Sequence, residues 1–234
     1  DIYKITFSDD SFTECCDEHL WAVRNEQGRN KRVKSRKFKI LQLKEIKNKI
    51  NIRGRLNFDI PITDPIEFKS KYLKIDPYLM GLLLGDGCLR NAIGFSTNDE
   101  EIYNYIKDTV NKYSCKITDN VGKNNTKYFN IVSNNNDRIN NILNFIKEYE
   151  LFNTLSDTKF VPKDYLYSSV QDRKDLLAGL LDTDGTINKG SITFCTTSES
   201  LKNNVTEIVN SLGGVVKTKS RIGKKKKNGI SKEC

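Results

Sequence analysis

Residues 77–87 read "PYLMGLLLGDG", and residues 174–185 read "KDLLAGLLDTDG". Each is an apolar stretch of helical length with small residues four apart, and each closes on Asp-Gly. Gly81 and Gly85 share one helix face, and Gly179 and Thr183 hold the matching places beside Ala178. Small residues on a common stripe let two helix backbones approach closely. Gly87 and Gly185 suit the turn past a helix C-terminus. Two such helices packed together would bring Asp86 and Asp184, 98 residues apart in sequence, to one place.

That place is electrostatically costly. A helix C-terminus carries about half a negative charge, and an acid there is disfavoured by some tenths of a kcal/mol. Two such ends together form a patch of oxygen donors whose natural counterweight is a hard cation, Mg²⁺ for preference. A single Asp-Gly is an ordinary turn dipeptide. Two on matching helices point to a metal. Position 84 is Leu while its counterpart is Asp182, so that slot is not shared by the two copies.

The surrounding pattern repeats too. After the first helix come a strand candidate, "AIGFSTN" (92–98), an amphipathic helix over 99–113, strands over 115–119 and 127–133, and a helix over 137–150. After the second come "SITFCTT" (191–197), a helix in "SESLKNNVTEIVNSLGG", a strand "VVKTKSRIG", a turn "KKKKNG" and a partner strand beginning "ISKEC". The order is an αββαββα repeat with its second copy incomplete. The first 23 residues alternate apolar and polar, predicting a hairpin and a further strand. The fold class expected is therefore α+β: an all-β N-terminal portion, then two pseudo-symmetric repeats.

The net charge is +9, concentrated between Arg24 and Arg55, where thirteen Lys/Arg face two acids. Such a field attracts polyanions, nucleic acid first, although a solvated Lys-rich surface would read alike. No apolar run approaches a membrane span. No charged-then-apolar leader opens the chain, and the six cysteines lack framework or metal spacing. They read as reduced thiols of an intracellular protein, in cytoplasm or nucleus. No phosphate-binding loop is present, and a single His argues against a Ser-His-Asp triad or zinc site.

"LMGLLLGDG" (79–87) and "LAGLLDTDG" (177–185) resemble the two copies of the LAGLIDADG motif of homing endonucleases, the second in seven of nine letters. The resemblance covers about residues 70–234. It implies a pseudo-dimer within one monomeric chain, with two sheets saddling double-stranded DNA. It also implies a divalent-cation site at Asp86 and Asp184, with Gly85 and Thr183 beside them. "KFVP" (159–162) is similar to the inter-repeat block of intein-borne members. That makes Lys159 the candidate active-site lysine, stabilising charge or polarising a water, with Lys163 a near alternative. Asn98, Lys127, Thr193, Lys217, Lys219 and Arg221 are the candidate DNA-facing strand residues.

The stretch "CCDEHLWAV", with Cys16 three residues before the sole histidine, His19, is similar to the T-x-x-H block of inteins. In that family the histidine assists the acyl shift at the upstream splice junction, and a neutral imidazole suits that task. The division implied is 1–69 as splicing portion with a basic insertion, 70–160 as first repeat and 161–234 as second. Asp1 and "SKEC" match neither intein terminus, so both ends are expected to be truncations. The host's exteins would be the partners in cis. The alternative is a LAGLIDADG-type DNA- or RNA-binding protein or maturase without cleavage.

Overall fold

The structure, a computed structural model, describes residues 1–25, 37–121, 127–134, 139–221, 224–227 and 230–233; the side chains at 120, 121, 127 and from 224 onward also lie outside that description. The middle of the basic run, 26–36, is therefore outside the described residues. The fold is α+β, in two compact units: Asp1–Thr63 with Gly214–Cys234, and Asp64–Gly213.

In the first unit, the alternating N-terminal sequence forms the hairpin β1 (Ile2–Thr6) and β2 (Phe12–Cys16), in the register Ile2↔Cys16 to Thr6↔Phe12. Strand β3 (Leu20–Asn25) pairs with β4 (Lys39–Gln42), which runs into the single turn α1 (Leu43–Ile46). A tight hairpin, β5 (Asn51–Ile52) and β6 (Arg55–Leu56), turns at Arg53 and Gly54, both with positive φ as a two-residue loop requires. Strand β7 (Phe58–Asp59) then joins the other side of β3. Only Cys15, Val23, Leu43 and Ile46 are fully buried in this unit's core. Charge contacts supplement it: Lys47 bridges Asp17 at 2.7 Å and Arg24 bridges Asp59 at 2.5 Å.

The second unit holds the larger core. Helix α2 (Pro77–Gly85) is apolar on every side and buried over Leu79–Leu84, as expected of a helix enclosed by protein. It starts at Asp76, whose carboxylate caps Leu79 N at 3.1 Å and accepts Tyr105 OH at 2.5 Å. Strand β8 (Ile93–Ser96), helix α3 (Glu100–Asn111), strands β9 (Cys115–Val121) and β10 (Lys127–Ser133) and helix α4 (Asn141–Glu148) follow. The sheet order is β8–β10–β9, with Phe95 and Phe129 packed beneath it. Directly after α2, where the repeat pattern asked for a strand, there is only a bridge between Cys88 and Gly94.

After the short α5 (Lys163–Leu166), helix α6 (Val170–Asp184) opens on a Ser169/Asp172 capping box. The hairpin β11 (Gly185–Asn188) and β12 (Ser191–Phe194) follows, then helix α7 (Glu199–Ser211) with Ser198 as its cap. Here the copies diverge. "VVKTKSR" forms no strand: residues 214–221 are irregular. The lysine run read as a turn is instead β13 (Lys224–Lys227), paired with β14 (Ile230–Glu233). A strand needs a partner, and β14 has spent its pairing on the lysine run. The burial reflects this: Ile93 and Phe95 are 1% exposed under the three-stranded sheet, whereas Ile192, matching Ile93, is 62% exposed.

Arg173 is fully buried. Its Nε donates to Ser168 O at 3.1 Å, its other nitrogens donate to Ser211 Oγ and Ile66 O, and Phe68 lies against the guanidinium. Arg173→Met should keep the volume and orphan these acceptors, costing about 2 kcal/mol in urea unfolding. A loss below about 0.5 kcal/mol would show the bonds to be dispensable.

Candidate metal centre

The two motif helices meet along the stripe the sequence marks. A Cβ on Gly81 would come within 3.0 Å of Gly179 Cα and Leu180 N, and one on Gly179 within 2.8 Å of Leu82 N. Farther along, a Cβ on Gly85 would overlap Thr183, 2.7 Å from its Cβ. Thr183 keeps its hydroxyl inside its own helix, donating to Gly179 O and Leu180 O. Across the same interface, Tyr78 OH donates to Asp182 Oδ2 at 2.6 Å. Asp182, the slot not shared by the copies, is thus tied to the pairing of the helices.

Because the helices run side by side and end together, Asp86 and Asp184 sit within each other's field. Asp86 follows the last residue of α2 and is exposed; Asp184 is the last residue of α6 and half-buried. Among the described residues, neither carboxylate makes a hydrogen bond or ion pair. Burial, and then the Asp86 charge, push the Asp184 carboxyl above its ordinary 3.8, with Lys159 opposing. The folded state therefore holds this proton more tightly than the unfolded chain. Stability from this group falls as pH rises from about 3.8 through the raised folded value. Asp184→Asn removes that penalty, and should raise Tm at pH 7 by about 3 °C while changing little below pH 4. Melts at the two pH values check this; a lowered Tm at pH 7 refutes it.

Lys159 is the buried cation of the site, 4% exposed. Its ammonium donates to Leu83 O at 3.2 Å, Gly85 O at 2.9 Å and Gly87 O at 2.7 Å. Burial lowers its pKa to about 8, with Asp184 and Asp86 pulling it back up, so it remains charged at neutral pH. Its own carbonyl accepts Ser198 Oγ at 2.6 Å, and Val161 N donates to Asn204 Oδ1 at 2.9 Å. Lys163, by contrast, starts the short helix α5 and is exposed.

The donor set suits Mg²⁺ in one respect: two uncommitted carboxylates match an ion that takes one or two and keeps waters and phosphate oxygens. No group of three or more His, Cys, Asp or Glu gathers among the described residues. Of the accessory positions, Gly85 already gives its carbonyl to the Lys159 ammonium, and Thr183 lies at the helix contact.

The remaining candidates are scattered. Asn98 is exposed beyond the end of β8, just before the cap Asp99. Lys127 opens β10, but its side chain is outside the described residues. Thr193 is exposed on β12. Lys217, Lys219 and Arg221 are exposed on the irregular segment rather than on a strand, Lys217 paired with Asp10 at 2.9 Å. His19 is exposed, edge-on to Trp21 at 5.2 Å, and closes a turn by donating its N–H to Cys16 O at 3.1 Å. Five cysteines, 15, 16, 88, 115 and 195, are free. No helix among the described residues is long and apolar enough to cross a membrane.

Sequence reading missed Arg173, Ser198 and Asn204. The Ser198 cap was available from the helix-start pattern; the partners of Arg173 and Asn204 left no local mark.

Comparison with known proteins gives two findings. A 56-residue stretch, 24% of this chain, is 46% identical to the replicative DNA helicase DnaB of Mycobacterium intracellulare, and spans 10% of that protein's length. Residues 173–233, about a quarter of the chain, match the family described as LAGLIDADG-like domain. The resemblance carried by the Asp-Gly helices thus holds, from Arg173 through Glu233, as a LAGLIDADG-like domain.

Proposed function

We propose that this chain is part of an intein carrying a site-specific double-strand DNA endonuclease, which hydrolyses phosphodiesters with Mg²⁺. One observation carries the reading: two uncommitted aspartates at the joined ends of two close-packed helices. The LAGLIDADG-like match over 173–233 supports it. Asp86 and Asp184 would hold the Mg²⁺, which when bound would activate water and stabilise charge at phosphorus. The helix pairing fixes the two carboxylates relative to each other, and Asp86, being exposed, faces the side from which a phosphate can approach. Exposed Lys219 and Arg221, with the basic run, would supply salt-dependent phosphate contacts.

The partition into a splicing portion (1–69), first repeat (70–160) and second repeat (161–234) belongs to this proposal. The register Ile2↔Cys16 sets Asp1 at the same hairpin end as the Cys16–His19 turn. A peptide upstream of Asp1 would therefore approach the His19 imidazole, as its splicing role demands. A match limited to a tenth of a DNA helicase is what an element lodged within a host polypeptide would produce. The second reading, a DNA- or RNA-binding protein or maturase without cleavage, draws on one feature: Lys159 and the Gly85 carbonyl are already committed to each other. Incubating the chain with a randomised duplex library, with and without Mg²⁺, separates the two. Mg²⁺-dependent cutting supports the first; retention without cutting supports the second.

A further inference from the structure

We infer that Lys159 is a positioning residue: it caps the C-terminal end of helix α2 and holds the Gly85–Asp86–Gly87 turn, instead of touching substrate. An ammonium has three protons to give. All three go to main-chain carbonyls, those of Leu83, Gly85 and Gly87. None is left for a phosphate or a water. The acceptors belong to the last turn of α2 and the residue beyond Asp86, where carbonyls otherwise lack partners. Positive charge there also offsets the helix dipole, which an exposed acid alone would worsen.

The cap is anchored from its other side. Ser198 Oγ, which caps α7 by accepting Leu201 N at 3.1 Å, donates to the Lys159 carbonyl, and Asn204 of the same helix holds Val161 N. One short strap, 159–161, thus ties α7, from the second copy, to the turn that bears Asp86 in the first. No equivalent cation reaches the end of α6 among the described residues; there Thr183 bonds within its own helix. The two motif ends are therefore held differently, and Lys159 serves only one of them.

The consequence for the metal rests on the nuclease reading above; the cap itself does not. The test is amide hydrogen exchange of the intact chain at Asp86, bonded to Leu82 O, and Cys88, bonded to Gly94 O, alongside calorimetric titration with Mg²⁺ alone. Lys159→Met should speed exchange at both amides about tenfold beyond any change at Ile106 and Ile146, and weaken Mg²⁺ about fivefold. Lys159→Arg should recover part of each. Ser198→Ala, which keeps the charge, should loosen the same two amides by about threefold, and serves if Lys159→Met does not fold. Unchanged exchange at Asp86 and Cys88 in these variants would overturn the inference. So would cleavage lost in Lys159→Met with exchange and Mg²⁺ binding intact, for the lysine would then act on substrate. If the amides loosen as expected but the wild-type chain binds no Mg²⁺, the cap stands and the nuclease reading falls.

Discussion

Asp86→Asn is expected to reduce Mg²⁺-dependent cutting of duplex DNA by on the order of a hundredfold or more while leaving the protein folded. The substitution keeps shape and removes one of two carboxylates, and a cation that takes only one or two cannot lose half its protein charge cheaply. The fold should not suffer. Asp86 is exposed, makes no hydrogen bond through its carboxylate among the described residues, and sits at the disfavoured end of a helix dipole. Its amide bond to Leu82 O is backbone and survives the change. The measurement is single-turnover cleavage of a duplex selected by the wild-type chain, with unfolding followed in parallel. Undiminished cutting by a folded variant would remove Asp86 from the site.

Gly179→Ala should cost about 3 kcal/mol in urea unfolding, the largest loss expected from a single methyl group here. In an exposed helix the same change would gain up to about 1 kcal/mol, because alanine is the better helix former. What reverses the sign is the neighbour. The new Cβ would meet Tyr78 O and Leu82 N, both backbone, and no rotamer change can move backbone aside. The helices must separate, and overpacking of this kind costs 1–3 kcal/mol or more. Gly81→Ala faces Leu176 O and the Gly179 backbone in the same way. Because the two positions share one contact, the double variant should lose less than the sum of the singles. A stabilised Gly179→Ala would mean that the helices pack less closely than the structure has them.

The helix pair was legible because its signals are local and occur twice. Spacing at 81, 85, 179 and 183 marked the contact face, and Asp-Gly marked both ends. Helices α3 and α7 were likewise announced by acids or serine at their starts and by apolar periodicity. What could not be read was pairing. "VVKTKSR" has strand composition, yet composition does not name a partner, and the partner strand lies against the lysine run. Lys159 was found as a residue but assigned outward, toward water or substrate. A sequence shows a lysine's charge and not the carbonyls that surround it. Arg173 was invisible for the same reason: charge suggests solvent, whereas its three acceptors converge from positions 66, 168 and 211.

The bond from Ile66 N to Ser211 O, at 2.8 Å, has a bearing on how the polypeptide is threaded. Asp64–Gly213 leaves the first unit and returns to it, and this contact brings the two crossing points together with Arg173 locked over them. To the outer unit, the whole excursion is then a loop with its ends already joined. The entropy of closing a long loop, which grows with the logarithm of its length, is met by the inner unit's own folding and not by the few buried residues of the outer one. Such a module can be exchanged for a short linker without asking its host to find new partners, which is the topology an inserted, mobile domain requires.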